Sequence, residues 1–464
     1  MPRYNQYRSA AFKYTTVIKT PFRQLACLIY EGNLMKVDKV RRVAIVGGNR
    51  IPFARSNGAY SHASNQEMFT STLKGLVERF DLKGEQLGEV VGGAVMKQAR
   101  DFNLIRESVL DSGLDLNTPA YDIQQACGTG LEAAILVANK IALGQIDSGI
   151  AGGVDTTSDA PIALNETLRK LFLDLNRAKT PGEQAKIALK MANPKLLIPA
   201  IPKNGEPRTG KSMGEHCEIM AKEWGITREE QDELAVKSHN NLEAAYARGF
   251  FSDLVTPFNG LECDNNMRPG LSMGNMSKLK PCFDRSEAGT LTPANSSTLT
   301  DGASVVLMAT EEWAKERGLP ILAYMTFGDT AAVDFYKDDK EGLLMAPAYA
   351  VPKMLERAGL SLQDFDFYEI HEAFAGQVLC TMKAWEDEAY CKDKLGLKKA
   401  LGSIDRSKLN VNGSSLATGH PFAATGGRIV ASLAKMLSEK GSGRGLISIC
   451  AAGGQGVVAI LEAA

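Results

Sequence analysis

Short apolar runs and segments with helical spacing alternate along the first part of the chain. Residues 43–46 form an apolar, mostly β-branched run that ends in two glycines, and apolar positions recur at helical spacing over 68–80. Two further extended runs, at 90–95 and 150–154, flank a helix-like segment that ends near Ala142. Apolar runs bounded by glycine predict buried strands, and their alternation with helices predicts α/β architecture.

The same order returns in the second half of the chain. A helix-like segment at 350–358 precedes an extended run at 364–370, and a helix at about 425–437 precedes a strand at 446–450. In each half a reactive side chain stands at the end of a strand, close to glycines. We therefore predict a duplicated α/β domain.

Between the halves, at about 163–293, the alternation is lost. Residues 165–211 contain ten Lys or Arg and four Asp or Glu, and an apolar run at 196–201 is interrupted by Pro199. Such an insertion lies over a surface or covers a site, and we expect it to contact a membrane surface or a partner. The predicted boundaries are an extension at 1–34, a first half at 35–162 and 294–318, an inserted loop domain at 163–293, and a second half at 319–464.

The first 34 residues carry five basic side chains and one acidic side chain, Glu31. An organellar transit peptide is basic in this way, but it is also rich in serine, and this segment has one serine. We therefore expect a disordered extension, or a start codon placed before the true start at Met35.

Composition and charge exclude several classes of protein. The chain of 464 residues is 44% hydrophobic and 23% charged, which is typical of a folded globular protein. The 53 basic and 54 acidic residues give no surplus for binding nucleic acid. No apolar run reaches the roughly 18 residues needed to span a membrane. The eight cysteines contain no C-x-x-C pair, which argues against a zinc ribbon and favours free thiols in the cytoplasm or, alternatively, the mitochondrial matrix.

Cys127 stands between a predicted strand and the glycines that open the next helix, in the sequence QQACGTGLEA. The positive field of a helix N-terminus is expected to lower the thiol pKa from about 8.5 to somewhere between about 3.5 and 7.5. We therefore expect Cys127 to be a nucleophile. A second cysteine with a comparable setting is Cys450, and the cysteines expected to be small buried apolar residues are Cys27, Cys217, Cys263, Cys282, Cys380 and Cys391.

Two other signatures share the Cys127 segment. Gly128 and Gly130 followed by Ala133 match a dinucleotide fingerprint, for which Asp147 or Asp155 would bind the ribose. The sequence QACG also approaches a caspase signature, but a threonine follows where glycine is required. A lone match of either kind is weak.

Two histidines and Cys450 complete the reactive set. His420 lies among glycines and next to a proline, and a neutral imidazole there can deprotonate a thiol. Cys450 precedes an Ala-Ala-Gly-Gly turn, whose open backbone supplies N–H groups for an oxyanion. His371 ends a strand in the sequence HEAFA, without a second histidine four residues after it. The H-E-x-x-H zinc motif is therefore absent, and no metal is expected.

In their order and spacing, these segments resemble the motifs of the thiolases. The Cys127 segment resembles the nucleophile motif, Gly419-His420-Pro421 the histidine motif, and the Cys450 segment the second-cysteine motif, within a match from about Val43 to Gly456. Thiolases commonly have Asn where His371 stands and Gly where Ala452 stands. These departures and the basic insertion resemble the branch that contains the β-subunit of the trifunctional fatty-acid-oxidation enzyme and its bacterial 3-ketoacyl-CoA thiolase counterpart.

The resemblance implies a thiolase fold, in which two similar α/β halves form five layers (α/β/α/β/α) with an inserted loop domain. It implies cleavage of 3-ketoacyl-CoA with CoA to acetyl-CoA and a shortened acyl-CoA in fatty acid β-oxidation, through an acyl group on Cys127. It also implies that His420 is the base, that Cys450 is the acid, and that His371 and the Ala452 backbone serve oxyanion sites. The residues implied to contact CoA are Met213, Ser297, Phe374 and Gly419.

The resemblance further implies that no cofactor is required, because CoA is a substrate. It implies a homodimer or tetramer, with a hydratase–dehydrogenase subunit as a candidate partner and peripheral membrane contact through 165–211. Three alternatives stay open. A biosynthetic acetyl-CoA C-acetyltransferase would use the same residues, an NAD-dependent dehydrogenase would use Gly128 and Gly130, and a non-catalytic carrier would bury its cysteines.

Overall fold

Strands and helices alternate in both halves of the chain, as the apolar pattern predicts. Residues 40–337 and 341–464 are described by the structure, a computed structural model, so the predictions for 1–34 and Met35 lie outside the described residues. The strands in this part of the chain are β1 (Val43–Arg50), β2 (Ala54–Arg55), β3 (Glu89–Gly92), β4 (Ala120–Asp122), β5 (Ser148–Asp155), β6 (Thr300–Thr310), β7 (Ala323–Ala332), β8 (Phe367–Ile370), β9 (Arg444–Ala451) and β10 (Gln455–Ala463).

The described helices include the four predicted helical segments, which they match to within a few residues at each end. They are α1 (Asn65–Arg79), α2 (Leu104–Leu110), α3 (Thr129–Ala142), α4 (Glu166–Arg177), α5 (Pro181–Met191), α6 (Met213–Glu223), α7 (Arg228–Ala247), α8 (Met273–Met276), α9 (Glu311–Glu316), α10 (Ala346–Ala358), α11 (Ala375–Glu386), α12 (Glu388–Asp393), α13 (Ser415–Thr418) and α14 (Ala424–Lys440). Short 3-10 helices lie at Ala99–Asp101, Pro194–Leu197 and Arg406–Lys408.

The two halves build half-sheets with the same pairing pattern. In the first half β3 runs parallel to β5, β5 pairs antiparallel with β6, and β6 pairs antiparallel with β1. In the second half β8 with β9, β9 with β10, and β10 with β7 repeat these three relationships. Antiparallel pairs between β1 and β7 join the two half-sheets. The repeated pattern is the duplicated α/β arrangement that the sequence predicts.

Helices pack in three layers around the two half-sheets. α3 and α14 contact each other and strands of both halves, so they form the central layer. α1 and α2 pack on the first half-sheet, and α10 packs on the second with α11 beside it. The three largest apolar clusters follow the same division, one around the central helices and one beneath the outer helices of each half. Together these are the five α/β/α/β/α layers that the resemblance implies.

The segment 163–293 between β5 and β6 contains helices and loops, with no strand among its residues. α4 and α5 pack against each other, and α4 contacts the 3-10 helix that follows them. We call 165–198 the α4–α5 hairpin; its only buried apolar side chain is Leu168. α6 and α7 instead pack against α11 of the second half. The insertion therefore has an exposed part and a part that is packed onto the core.

Candidate active site

The predicted reactive residues meet at one place, although they come from distant parts of the chain. Cys127 directly precedes the N-cap of α3, His371 follows β8, Cys450 is the penultimate residue of β9, and His420 lies between α13 and α14. The sulfur of Cys127 and one ring nitrogen each of His371 and His420 all lie within 4.8 Å of one another. The two imidazole centroids are 4.1 Å apart.

The turn that carries Cys127 is held in a strained backbone conformation. Ala126 has a φ of 47°, in the left-handed region that a residue with a Cβ rarely occupies. The Thr129 hydroxyl accepts a hydrogen bond from the Gln125 N–H at 2.9 Å and donates one to the Ala126 carbonyl at 2.7 Å. These two bonds close the turn and hold the Cys127 side chain at the start of α3.

Cys127 is a neutral thiol in the resting site. Burial raises the pKa of the Cys127 thiol to about 12, and hydrogen bonds from the backbone N–H groups of Ala452 and of Cys127 itself lower that pKa only in part. The predicted lowering of the pKa at the helix N-terminus is therefore wrong, because loss of solvent around a thiolate outweighs the favourable field. Cys127 consequently needs a base to take its proton.

His420 has the position and the charge state of such a base. Its Nδ1 lies 2.6 Å from the Thr425 hydroxyl, and its buried Nε2 has no hydrogen-bond partner among the described residues. Burial, helped by the positive charge of Arg428, lowers the pKa of His420 to about 3. The imidazole is therefore neutral at physiological pH and can accept a proton.

His371 and Cys450 are also uncharged. The Nδ1 of His371 lies 2.8 Å from the Ser415 hydroxyl, and its Nε2 is buried without a partner among the described residues. Burial, followed by the charges of His420 and Arg428, holds the pKa of His371 well below its ordinary value. Burial, followed by the Cys127 sulfur, holds the pKa of Cys450 well above its ordinary value, so this thiol keeps its proton.

A cavity of about 240 Å³ opens at Cys127. Three of the residues implied to contact CoA, namely Met213, Ser297 and Phe374, line this cavity together with His420, Cys450 and Ala452. Gly419, the fourth, is buried in a turn with a φ of 95° and is not among the residues that line the cavity. A Cβ on Gly419 would lie 2.4 Å from a Thr300 methyl group, so glycine is needed for the turn that holds His420.

A second cavity of about 360 Å³ also reaches Cys127. Its wall includes a loop of the insertion, Ile201 to Glu206, and the sequence alone did not indicate this contact. The described apolar residues in the wall include Met96, Met213, Leu299 and Phe422. The buried carboxylate of Glu206 accepts a hydrogen bond from the N–H of Gly453, directly after Ala452.

Asp155 fixes two of the loops around the site. Its buried carboxylate accepts hydrogen bonds from the backbone N–H groups of Val95, Met96 and Ala423, at 2.7 to 3.1 Å. These bonds draw the chain out of β3, which is why that strand ends at Gly92, before the end of the predicted run. A carboxylate already bound by three N–H groups is not available for a nucleotide ribose.

The dinucleotide alternative also fails at the glycines. A Cβ on Gly130 would lie 2.5 Å from the Ala423 carbonyl oxygen, and one on Gly128 would lie 2.6 Å from a Val457 methyl group. These glycines therefore allow close packing of α3 against neighbouring protein, where a bound pyrophosphate would find no room.

Cysteine and imidazole are ligands that Zn²⁺ accepts, so Cys127, His371 and His420 are the described residues best placed to hold a metal. The buried guanidinium of Arg428 lowers the pKa of both imidazoles, and the same positive charge opposes a bound cation. The absence of a metal requirement remains a prediction.

Three of the other described cysteines follow the sequence expectation. Cys217, Cys380 and Cys391 are buried, and Cys282 is half-buried. Cys263 is exposed, so its prediction as a buried apolar residue is wrong. It lies in a loop between Leu261 and the buried Asp264, where the side chain is directed outward. Cys27 lies outside the described residues. Of the helices that the structure describes, none combines the length and apolar character needed to cross a membrane.

Comparisons with known proteins agree with this geometry. Residues 43–312 match the thiolase N-terminal domain, and residues 321–463 match the thiolase C-terminal domain. A 3-ketoacyl-CoA thiolase of Pseudoalteromonas translucida is 40% identical over 94% of this chain and 100% of its own length.

Two solved structures have a similar fold. An acetyl-CoA acetyltransferase of Bacillus anthracis has a TM-score of 0.75 and 30% identity over 92% of this chain and all of its own. Human mitochondrial 3-ketoacyl-CoA thiolase, solved in complex with CoA, has a TM-score of 0.75 and 26% identity over 92% of this chain and 98% of its own. Cys127, His420 and Cys450 meet at one site, and both thiolase domains match the chain. This chain therefore belongs to the thiolase family.

Proposed function

We propose that the protein cleaves 3-ketoacyl-CoA with free CoA, which gives acetyl-CoA and an acyl-CoA shortened by two carbons. The observation that carries this proposal is the meeting of two thiols and a neutral imidazole at one cavity, Cys127, Cys450 and His420. The relative from Pseudoalteromonas translucida, a 3-ketoacyl-CoA thiolase at 40% identity, supports the same reaction.

The first step would acylate Cys127. His420 takes the proton from the Cys127 thiol, and the sulfur attacks the keto carbon of the substrate. The N–H groups of Cys127 and Ala452, which already point at the sulfur, would hold the negative oxygen of the tetrahedral intermediate. Removing one such donor typically costs about 10²–10³ in rate.

The second step would break the carbon–carbon bond and release acetyl-CoA. The bonding electrons pass into an enolate, whose oxygen accepts hydrogen bonds from His420 and His371. Cys450 gives its proton to the enolate carbon, which is consistent with a thiol whose pKa is raised by burial.

The third step would transfer the acyl group to CoA. The Cys450 thiolate takes the proton of the incoming CoA thiol, and the CoA sulfur attacks the thioester. Cys127 leaves as a thiolate and recovers its proton from His420. Met213, Ser297 and Phe374, which line the cavity, would contact the CoA arm, and Gly419 would serve by shaping the turn.

The direction of the reaction separates this proposal from a biosynthetic acetyl-CoA C-acetyltransferase. That enzyme transfers an acetyl group, which needs little room beyond the nucleophile. The second cavity at Cys127, of about 360 Å³ and mainly apolar, supports a longer acyl chain and therefore the degradative direction in fatty acid β-oxidation.

The partners are proposed on other grounds. The α4–α5 hairpin and the residues beside it expose large apolar side chains, including Leu189, Leu197 and Ile198, within a segment with six surplus positive charges. Exposed apolar patches of this kind mark interaction sites. We propose that this surface makes peripheral contact with an anionic membrane or with a hydratase–dehydrogenase subunit. We also propose a homodimer or tetramer. The bacterial relatives support a cytoplasmic location.

One experiment tests the proposed function. The protein is incubated with a medium-chain 3-ketoacyl-CoA and digested, and the mass of each cysteine-containing peptide is measured. We expect an acyl group on Cys127 and acetyl-CoA in solution. Cys127→Ala should abolish both, whereas the matched variant of the exposed cysteine, Cys263→Ala, should retain both. Acylation at another cysteine, or acetyl-CoA formation by Cys127→Ala, would refute the proposal.

A further inference from the structure

A buried arginine lies behind the two catalytic histidines. Arg428, on α14, is 3% exposed, and no carboxylate of the described residues forms an ion pair with it. Its Nη2 donates hydrogen bonds to the hydroxyl oxygens of Ser414 at 3.2 Å and Ser415 at 3.1 Å. An unpaired buried charge costs several kcal/mol, so a positive charge kept here is expected to have a use.

The bond from Arg428 fixes the direction of the Ser415 hydroxyl. Guanidinium only donates hydrogen bonds, so Ser415 Oγ must be the acceptor from Arg428. The other partner of Ser415 Oγ among the described residues is Nδ1 of His371, at 2.8 Å. Of these two partners only the imidazole nitrogen can accept the Ser415 hydrogen. His371 Nδ1 is therefore an acceptor, and in the neutral ring the hydrogen lies on Nε2.

His420 has a similar hydroxyl partner, but Arg428 bonds to Ser414 and Ser415 and not to that hydroxyl. Its Nδ1 lies 2.6 Å from Thr425 Oγ1, and no hydrogen bond from an arginine to that hydroxyl is present in the described part of the chain. Nδ1 of His420 is thus free to donate to Thr425, which leaves a lone pair on Nε2. A lone pair on Nε2 is what a base for Cys127 needs.

We propose that Arg428 and Ser415 are positioning residues that fix the ring hydrogen of His371 on Nε2, so that His371 donates a hydrogen bond to the enolate oxygen while His420 acts as the base. The inference rests on the proposed function, because it assigns a role within carbon–carbon cleavage. Two imidazoles with centroids 4.1 Å apart thereby take opposite tasks.

The electrostatics of the site support this division. The chain from Arg428 through Ser415 to His371 polarises each hydrogen bond towards the substrate oxygen, where negative charge develops. Burial, together with the same positive charge, lowers the pKa of both histidines and so keeps each ring neutral with one hydrogen. The nearby carboxyl groups form no ion pair with it: burial raises the pKa of Glu369 to about 8, and the Glu372 carboxylate accepts hydrogen bonds from Ser238 and Asn410.

Adjacent serines provide a matched pair of variants. Ser414 and Ser415 both accept a hydrogen bond from Arg428, but only Ser415 contacts His371. Ser415→Ala should lower kcat for 3-ketoacyl-CoA cleavage by about 10-fold to 100-fold, because removing an oxyanion donor outright costs about 10²–10³. Ser414→Ala should stay within about threefold of the parent. Acyl transfer from a simple acyl-CoA to Cys127 involves no enolate and should be nearly unchanged in both variants.

Nitrogen-15 NMR of the histidine side chains tests the hydrogen position directly. The chain has five histidines, so ¹⁵N-histidine labelling gives few signals, and His371→Asn identifies the signal of residue 371. The parent and Ser414→Ala should carry the His371 hydrogen on Nε2, and Ser415→Ala should shift part of it to Nδ1. Arg428→Lys, which keeps a donor and a charge, should retain the Nε2 hydrogen, whereas Arg428→Met should not.

The outcomes separate this inference from the proposed function. The positioning role of Arg428 and Ser415 would be overturned by a hydrogen on Nδ1 of His371 in the parent, or by equal effects of Ser414→Ala and Ser415→Ala on cleavage. In either case the parent would still acylate Cys127 and form acetyl-CoA. If the parent itself neither acylates Cys127 nor cleaves 3-ketoacyl-CoA, the proposed function is wrong, and the positioning role of Arg428 and Ser415 is wrong with it. Each serine variant lacks a single oxygen atom and is expected to fold. Circular dichroism confirms this before the kinetics are compared.

Discussion

The carboxylate of Glu206 accepts a hydrogen bond from the backbone N–H of Gly453 at a distance of 2.7 Å, across 247 positions of sequence. Glu206 belongs to the insertion, and Gly453 follows Ala452, whose N–H points at the Cys127 sulfur. One buried contact therefore connects the wall of the larger cavity to the backbone that would hold the tetrahedral oxygen. Movement of the wall is expected to reach the oxyanion site through this bond.

Glu206→Ala tests the connection. Hydrogen bonds to charged groups contribute about 1.5–3 kcal/mol, so losing this one should lower kcat/KM for cleavage by about 10-fold or more. Asp174→Ala is the control, because Asp174 is an exposed acid of the same insertion and its carboxylate pairs with Arg177 on its own helix. Steady-state cleavage of one 3-ketoacyl-CoA by the three proteins is the measurement. Equal activity of Glu206→Ala and the parent would show that the bond does not serve the oxyanion backbone.

Cys450→Ala should separate the two half-reactions. Acylation of Cys127 by a simple acyl-CoA needs no enolate and can release CoA as a thiolate, so it should fall much less than cleavage of the carbon–carbon bond. Cleavage should fall by about 10²–10⁴, the usual worth of a general acid. Cys380→Ala is the control, since Cys380 is also a buried thiol and is not among the residues that line the cavity. Mass measurement of the acylated peptide is compared with acetyl-CoA release. Cleavage near the parental rate in Cys450→Ala would remove this thiol from the mechanism.

His239 should make the fold sensitive to acid. Burial, followed by the charges of Arg268 and Arg55, lowers the pKa of His239 to about 4, and its Nδ1 accepts a hydrogen bond from the Arg268 N–H. In the unfolded chain the pKa is about 6.5. Between these values the unfolded state binds more protons, so stability is present above pH 6.5 and is lost as pH falls towards 4, by up to about 1.4 kcal/mol per pH unit.

Urea unfolding at pH 6.5 and pH 4.5 measures this effect. The parent should lose about 2–3 kcal/mol more than His239→Gln over this interval, because glutamine keeps an acceptor and does not titrate. His62→Gln serves as the control at an exposed histidine and should lose as much as the parent. If His239→Gln and the parent lose the same free energy of unfolding, His239 does not remain neutral in the fold.

The sequence predicts the parts of this molecule whose signal is local. The strand before Cys127, the helix after it and the strand that ends at Cys450 follow from apolar runs and glycines, and the structure has all three. The pKa of Cys127 was predicted in the wrong direction, because burial depends on walls contributed by residues far along the chain, such as Phe374.

Two contacts at the candidate site had no local signal in the sequence. Arg428 stands in a helix, where a basic side chain ordinarily faces solvent, and it is buried only because α14 forms the central layer between two half-sheets. Glu206 lies in a polar loop, and its partner Gly453 is in the other half of the chain. Contacts of this kind depend on the packing of the whole fold, so no window of sequence indicates them.

The α4–α5 hairpin and the loop after it are expected to have different tasks, and this difference can be measured. Leu197 and Ile198 are 76% and 66% exposed and are not among the residues that line either cavity at Cys127. Ile201 is 67% exposed, but it lies in the wall of the larger cavity. The double variant Leu197→Ser/Ile198→Ser should therefore weaken binding to vesicles rich in phosphatidylglycerol, or to a hydratase–dehydrogenase subunit, with cleavage of acetoacetyl-CoA within about twofold of the parent. Apolar area contributes about 25 cal/mol per Å² when it is buried. Replacing two large apolar side chains by serine removes apolar area from the contact, so affinity should fall by at least about tenfold. Ile201→Ser, a substitution of the same kind three residues further along, should lower kcat/KM for long acyl chains more than for acetoacetyl-CoA, and should weaken binding less than the double variant does. Co-sedimentation with vesicles and pull-down with the subunit are measured on the same preparations as the kinetics. Lost cleavage of acetoacetyl-CoA with binding unchanged in Leu197→Ser/Ile198→Ser, in a protein that still folds, would make the hairpin part of the substrate site.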